Sequence, residues 1–450
     1  MRRTSLCLLL SGFCLLAGAA SAPAAPPIKH VFVVVLENQD YATTFGPGSK
    51  APYLSKTLVA QGQLLTHYYG IGHLSLDNYV AMVSGQSPNP DTQSDCQIYT
   101  ELLPGTIGAD GQALGRGCVY PAAVKTVADQ LEAKGLTWKG YMEDMQAPCQ
   151  HPALNSHDGT QSATTDSQYA ARHNPFVYFH SIIDRPACAQ NDVPLDRLAS
   201  DLQSASTTPN YVFVTPDLCN DAHDATCPDG GPGGLPAADA FLKTWVPRIT
   251  GSEAFQDGGL LLVTFDESGS GADACCNEPS GPNTPNNGGE TPGNGGGRTG
   301  AVLISPFVKP GVANDTPYNH YSMLRSVEDI FGLEHLGYAA RPDLLGFGND
   351  VYNQTGVVGP PVFGPPTIRI RGVPRRCVRR SFTARVRVFA AGLRVAHVMV
   401  DRRTLARKHR SSFRVRVRAS RLRPGRHRLT VRVSQRRGPP GRRTVSFRAC

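Results

Sequence analysis

Three apolar runs in this 450-residue chain end in hard oxygen donors. Val31–Leu36 runs into Glu37 and Asn38. Tyr211–Thr215 runs into a loop carrying Asp217, Asn220, Asp221, His223 and Asp224, and Gly259–Phe265 runs into Asp266 and Glu267. Carboxylates and amides with imidazole beside them suit a hard divalent cation, not a thiolate-bound metal or a haem. A nucleophile is also present. The turn Gly70-Ile71-Gly72-His73-Leu74 delivers Ser75 to the start of an apolar helix over 78–84. Free backbone N–H groups and the helix dipole there favour an alkoxide and an anionic substrate. The chemistry implied is in-line attack of Ser75 on phosphorus, with a divalent cation of unspecified identity lowering the serine pKa and offsetting developing charge. His223 or His320 would protonate the leaving oxygen. Absence of a Walker loop or kinase set favours hydrolysis over transfer from ATP, and absence of G-x-S-x-G disfavours an α/β-hydrolase serine.

Each of these residues has a plainer reading. Glu37 and Asn38 could be turn chemistry, Ser75 an N-cap, and His320 a helix cap or surface group. What weighs against those readings is repetition of one pattern at three strand ends. The runs are β-branched and continuous, as parallel strands buried on both faces are. Open α/β sheets place their chemistry at the carboxyl ends of such strands. The expected fold is therefore α/β, with a doubly wound, mostly parallel sheet. Helices are expected over 51–61, 126–134 and 323–331, the last opened by His320, and further strands over 64–69, 137–141 and 300–306. The Gly/Pro/Asn-rich stretch 268–299 reads as a lid or mobile loop. His151, His157, His173 and His180 show no recognisable spacing and read as loop residues.

Arg2 and Arg3, the apolar run 6–16 and the small residues around 20–22 make residues 1–25 a secretory signal peptide. Export makes the ten remaining cysteines a framework of up to five disulfides, with Cys377–Cys450 the safest pair and Cys219 and Cys227 placed to pin their loop. No C-x-x-C pair suggests a thiolate zinc site. The net charge of +9 conceals two opposed parts. Residues 367–450 hold 26 arginines and one lysine against a single acid, Asp401, whereas residues 26–366 carry a net −19. The expected organisation is an enzyme domain over 26–356, a Pro/Gly linker over 357–366 and a basic domain over 367–450. In the basic domain apolar and Arg positions alternate, as in Phe413-Arg-Val-Arg-Val-Arg, so it reads as a small β-sandwich with arginines outward. Such a surface should attract a polyanion, whether an anionic envelope polymer, anionic lipid, DNA or the chain's own acidic part. Without interleaved aromatics, sequence-specific reading of nucleic acid is not expected.

Taken in order, VVVLEN, APYLSKTLVAQGQLLTHYY, GHLSLDNYVAMVSG, PDLCNDAHD, VTFDES and YNHYSMLRSVEDIFGL resemble the secreted bacterial phosphoesterases of acid phosphatase and phospholipase C type, in the alkaline-phosphatase-like superfamily. The resemblance covers roughly 28–350. It implies metal ligation by Glu37, Asn38, Asp266 and Glu267, and a phosphoserine on Ser75. It also implies contacts to the phosphoryl group or its surroundings from Asn78, His223, Asp224 and His320, with His73 and Asp221 as further candidates. Where many relatives read H-P-S-x-P-N, this chain has His73-Leu74-Ser75-Leu76-Asp77-Asn78. The basic domain resembles the immunoglobulin-like domains appended to exported bacterial proteins. The expected activity is that of a phosphoric ester hydrolase, a secreted phosphomonoesterase of acid phosphatase or phosphatidylinositol-phosphate phosphatase type. A phospholipase C on phosphodiester lipids is one alternative. An inactive envelope-binding protein using the basic tail is another.

Overall fold

A computed structural model describes residues 26–284, 295–353, 366–374, 377–389, 393–401, 403–435 and 440–450. The signal peptide, all but the last residue of the linker, and residues 285–294 of the long loop lie outside the described residues. In chain order the central sheet is built from β1 (His30–Leu36), β2 (Gln63–Leu65), β3 (Trp138–Met142), β4 (Asp192–Pro194), β5 (Tyr211–Thr215), β6 (Gly259–Phe265), β7 (Ala301–Ile304) and β8 (Val312–Asn314). Their spatial order is β8-β2-β7-β6-β1-β5-β3-β4. β1 lies between β5 and β6, parallel to both, and β5-β3-β4 continue in parallel. Only β7 runs against its neighbours, β6 and β2. The sheet is mostly parallel, as the continuous apolar runs imply.

Every residue of β1 is buried, and alternate side chains feed two cores. Val31, Val33 and Val35 pack with helices α1 (Ser75–Ser84), α2 (Val127–Ala133) and the later helix His320–Phe331. Phe32, Val34 and Leu36 pack on the opposite face with the helical turns over 53–61 and with α3 (Gly234–Thr250). The helix His320–Phe331 is α4. Helices on both faces explain why no polar alternation shows in the strand sequences. α2 starts where a capping box forms, Thr126 and Asp129 each bonding the other's backbone N–H.

The segment expected as one strand over 64–69 is divided. Gln63–Leu65 joins the central sheet, while Tyr68–Tyr69 pairs with Tyr318–Asn319. Between them the Thr66 hydroxyl bonds to the Asn314 carbonyl and the Asp315 carboxylate. This break brings the turn before Ser75 beside the start of α4.

The C-terminal part contains β9 (Thr367–Arg371), β10 (Phe382–Phe389), β11 (Leu393–Val400), β12 (Arg403–Lys408), β13 (Ser412–Val417), β14 (Gly425–Gln435) and β15 (Gly441–Ala449). They form a three-stranded sheet, β9-β10-β13, and a four-stranded sheet, β12-β11-β14-β15, all antiparallel. One core lies between them, made by the inward positions Ala384, Val386, Val415, Val398, Val431 and Phe447 among others. Five disulfides are formed: Cys96–Cys118, Cys149–Cys188, Cys219–Cys227, Cys275–Cys276 and Cys377–Cys450. No described helix is long and apolar enough to cross a membrane.

Candidate active site

Because β5, β1 and β6 are adjacent and parallel, their carboxyl ends place Asp221, Glu37 and Asp266 side by side. All three carboxylates are wholly buried. Asn38 takes a left-handed conformation, φ 51°, which an Asn tolerates, and its backbone N–H donates to Asp266 Oδ1 at 3.0 Å. The backbone N–H of Glu267 donates to the same oxygen. One oxygen of each acid remains without a hydrogen-bond partner: Glu37 Oε1, Asp221 Oδ2 and Asp266 Oδ2. Burial raises the pKa of all three well above the carboxylate range, reinforced at Glu37 by Asp266, at Asp221 by Glu37, and at Asp266 by Glu267.

Ser75 occupies the first turn of α1, 3% exposed. It is not an N-cap, since Leu74 holds that position. Its hydroxyl instead donates to Glu37 Oε2 at 2.9 Å. The turn before it is fixed by Asn78, whose Oδ1 accepts from the N–H groups of Ile71 and Gly72 and whose Nδ2 donates to the carbonyls of Gly72 and Leu74. The carboxamide thus has two contacts at each end, its ordinary complement. In this structure the Asn78 amide is fully engaged in holding the Ser75 turn.

His320 is held in a similar way. Its Nδ1 meets Tyr68 Oη at 3.1 Å and its Nε2 the backbone carbonyl of Asp266. Completely buried, it is pushed down to about 4, so it is a neutral ring bracing the end of β6 and has no free nitrogen to give a leaving group. His73 plays a similar bracing part. Its Nε2 lies 3.0 Å from the Gly271 carbonyl and its Nδ1 3.4 Å from Glu267 Oε2. His223 and Asp224 sit at the rim, their side chains 47% and 42% exposed, with Nδ1 of the histidine 3.5 Å from Asp224. Asp221 Oδ1 accepts from the His223 backbone N–H, linking rim to floor.

Two residues not expected at the site, His173 and Arg172, belong to the cluster. His173 is 2% exposed, and neither ring nitrogen has a hydrogen-bond partner. Nε2 lies 3.3 Å from Glu37 Oε1 and Nδ1 3.8 Å from Asp221 Oδ2. Burial lowers its pKa well below the usual range, helped by the positive charge of Arg172 and by His223. Arg172 is itself buried, its Nε 3.6 Å from Asp95. Burial opposes its charge, and Asp95, Glu37 and Asp221 outweigh that to keep it cationic. Asp95 in turn accepts the N–H of Leu76 at the start of α1.

Acids outnumber cations here, and the orphaned oxygens of Glu37, Asp221 and Asp266, with the His173 nitrogens, are the donor set a divalent cation would satisfy. Three ligand atoms already drawn within 4.8 Å occur, among the described residues, at Cys149/Cys188/Asp192 and Cys219/Cys227/Asp229. Disulfides consume the cysteines in both.

A serine hydroxyl held on a carboxylate, among buried acids at the ends of parallel strands, is a site built for ester chemistry on an anionic group. Comparison with known proteins gives that class a family: the family model described as Phosphoesterase family matches residues 47–334, and the chain belongs to it. The match includes Ser75, His173, Asp221, Asp266 and Glu267, and begins after Glu37 and Asn38. An acid phosphatase of Aspergillus fumigatus is 27% identical over 330 residues, 71% of this chain and 60% of that protein. A phosphatidylinositol-3-phosphatase of Mycobacterium tuberculosis is 26% identical over 319 residues, 71% of this chain and 82% of that protein. The chain spans about three fifths of the length of the fungal acid phosphatase it matches. Relatives therefore occur in fungi as well as in a mycobacterium, so the resemblance is not confined to bacterial proteins. Among solved structures, a protein in the alkaline phosphatase superfamily from Vibrio parahaemolyticus aligns with TM-score 0.41 and 12% identity, covering 82% of this chain and 79% of that one.

Proposed function

We propose that this protein is a phosphoric ester hydrolase, a metal-dependent phosphomonoesterase that works through a phosphoserine on Ser75. The observation that carries the reading is the 2.9 Å hydrogen bond from Ser75 Oγ to Glu37 Oε2 at the start of α1. Glu37 Oε2 accepts the hydroxyl proton as Oγ forms its bond to phosphorus and the ester P–O bond breaks. The dipole of α1 would favour a phosphoryl group beside its N-terminal end, although the Leu76 N–H is already taken by Asp95. His223 at the rim protonates the departing alkoxide, because it is the most exposed imidazole of this cluster. Water then attacks the phosphoserine and releases phosphate. A divalent cation, when bound, would polarise the phosphoryl oxygens. Glu37, Asp221 and Asp266 would hold it with Asn38 and Glu267 alongside, and His173 is either a further ligand or the group that orients Glu37.

The reading extends to organisation. Residues 1–25 are proposed as a secretory signal, consistent with five disulfides. Residues 26–356 are proposed as the catalytic domain and 367–450 as an immunoglobulin-like accessory domain. The substrate is proposed to be a phosphomonoester, either small or a lipid head group. The test is hydrolysis of p-nitrophenyl phosphate by the mature chain, before and after chelation, beside Ser75→Ala. Loss of turnover in both supports the mechanism. Turnover retained by Ser75→Ala overturns it, and release of a phosphorylated head group from lipid with no monoester turnover would indicate a phospholipase C.

A further inference from the structure

We propose that the two outer faces of the C-terminal sandwich bind one flexible, linear polyanion that passes over both sheets. The argument starts from register. In the three-stranded sheet Arg371 is opposite Arg385, and Arg385 is opposite Arg414. In the four-stranded sheet Arg426 is opposite Arg448, and Arg432 is opposite Arg442, with His397 and Arg407 continuing that row. Directly opposed side chains are about 5 Å apart, and like charges there oppose pairing. All of these arginines are exposed, because the intervening positions supply the core. The single acid of the domain, Asp401, is spent on the His427 ring and the backbone N–H of Arg428. Residues 367–450 contain no other acidic side chain to neutralise the rows.

The faces lie on opposite sides of one core, and this selects the occupant. A planar bilayer can meet one face and leaves the other repelling. The acidic catalytic part of the same chain is limited in the same way. Duplex DNA is stiff over about 150 base pairs and cannot turn around a domain of this size. Single-stranded nucleic acid is favoured by exposed aromatic platforms, and here Phe447 is buried while Phe382 and Phe413 are half-buried. A flexible polymer with closely spaced phosphate, sulfate or carboxylate groups satisfies both rows, and guanidinium forks match such oxyanions. Bound to it, the catalytic part would be held beside an anionic matrix.

Dextran sulfate, which offers no phosphate ester for hydrolysis, is the probe, titrated into the full mature chain at rising salt. The expected result is tight binding at low salt with a steep salt dependence. Arg385→Ser/Arg414→Ser and Arg432→Ser/Arg442→Ser should each weaken it roughly tenfold, and all four together roughly a hundredfold. Each pair should also raise the Tm of the unliganded protein, because repulsion is removed, which separates this effect from misfolding. Unchanged affinity in the fourfold variant overturns the proposal. So does binding to phosphatidylglycerol vesicles or single-stranded DNA in preference to dextran sulfate, or no binding even at low salt.

Discussion

The imidazole of His173 is stacked on the phenol ring of Tyr79, centroids 5.3 Å apart and planes 12° from parallel. The stack fixes the plane of the ring while leaving both nitrogens aimed at Glu37 and Asp221. Tyr79 is one turn along α1 from Ser75, so one short helix carries the proposed nucleophile and the surface that orients the histidine.

His173→Ala is expected to reduce kcat/KM by about 10² to 10³, the range of other positioned catalytic groups. Tyr79→Phe keeps the stacking surface and should retain most activity, whereas Tyr79→Leu should resemble the histidine variant. Steady-state kinetics on p-nitrophenyl phosphate with parallel Tm measurements decide it. Equal loss in Tyr79→Phe and Tyr79→Leu would show that the hydroxyl, not the stack, matters.

Asn78→Ala removes four hydrogen bonds from the turn before Ser75. At about 1 kcal/mol each, the cost is roughly 2–4 kcal/mol in stability, with a larger loss in kcat than any change in KM. If Asn78 contacted substrate instead, KM would rise and Tm would stay. Urea denaturation beside kinetics separates the two.

Chelation should lower the Tm, on the order of 5 °C, and make it pH-dependent. Burial raises the carboxyls of Glu37, Asp221 and Asp266, so the folded chain holds their protons more tightly than the unfolded chain does. Their contribution is therefore present at low pH and is lost as pH rises through the folded values. The chelated protein should be less stable at pH 8 than at pH 5, and restoring the cation should flatten the profile. A chelated protein whose stability rises with pH over this range would refute the assignment of these acids to a cation site.

Glu328 offers a control away from the site. Buried in α4, its carboxyl is pushed up to about 9, mainly by burial, while Oε1 accepts the N–H of Leu336. A raised acid stabilises the fold below its unfolded value near 4.5 and loses that contribution as pH rises towards 9. Glu328→Gln keeps the acceptor and removes the titration, for a gain of roughly 3 kcal/mol at pH 7 and less at pH 5. Thermal melts at the two pH values check this, and an equal gain at both would be contrary to expectation.

The strand ends were legible because one short pattern carries both pieces of information, an apolar run that must be buried and a ligand pair where it stops. Glu37, Asp221 and Asp266 meet for that reason alone. His173 was not legible. It lies in a short 3₁₀ turn with no periodicity around it, and its partners Glu37 and Asp221 arrive from distant strands. The only trace is a His-Asn-Pro sequence in which Asn174 caps the next turn. For Asn78 and His320 the sequence indicated the place but not the partners. Residue type and helix position do not encode where a side chain points, and both turned inward to backbone groups. The division of 64–69 was hidden because Thr66 and His67 continue a strand-like composition.

β1 is the first strand in the chain, yet it is flanked by β5 and β6, which begin about 180 and 230 residues later. A nascent or refolding chain must keep this apolar strand unpaired until both neighbours exist. Local helices can form early, but the carboxylates of Glu37, Asp221 and Asp266 meet only when these long-range pairings close, and such pairings are slow. Regain of activity should therefore trail regain of helical signal during refolding. Catalytic competence in this protein is a late report on topology.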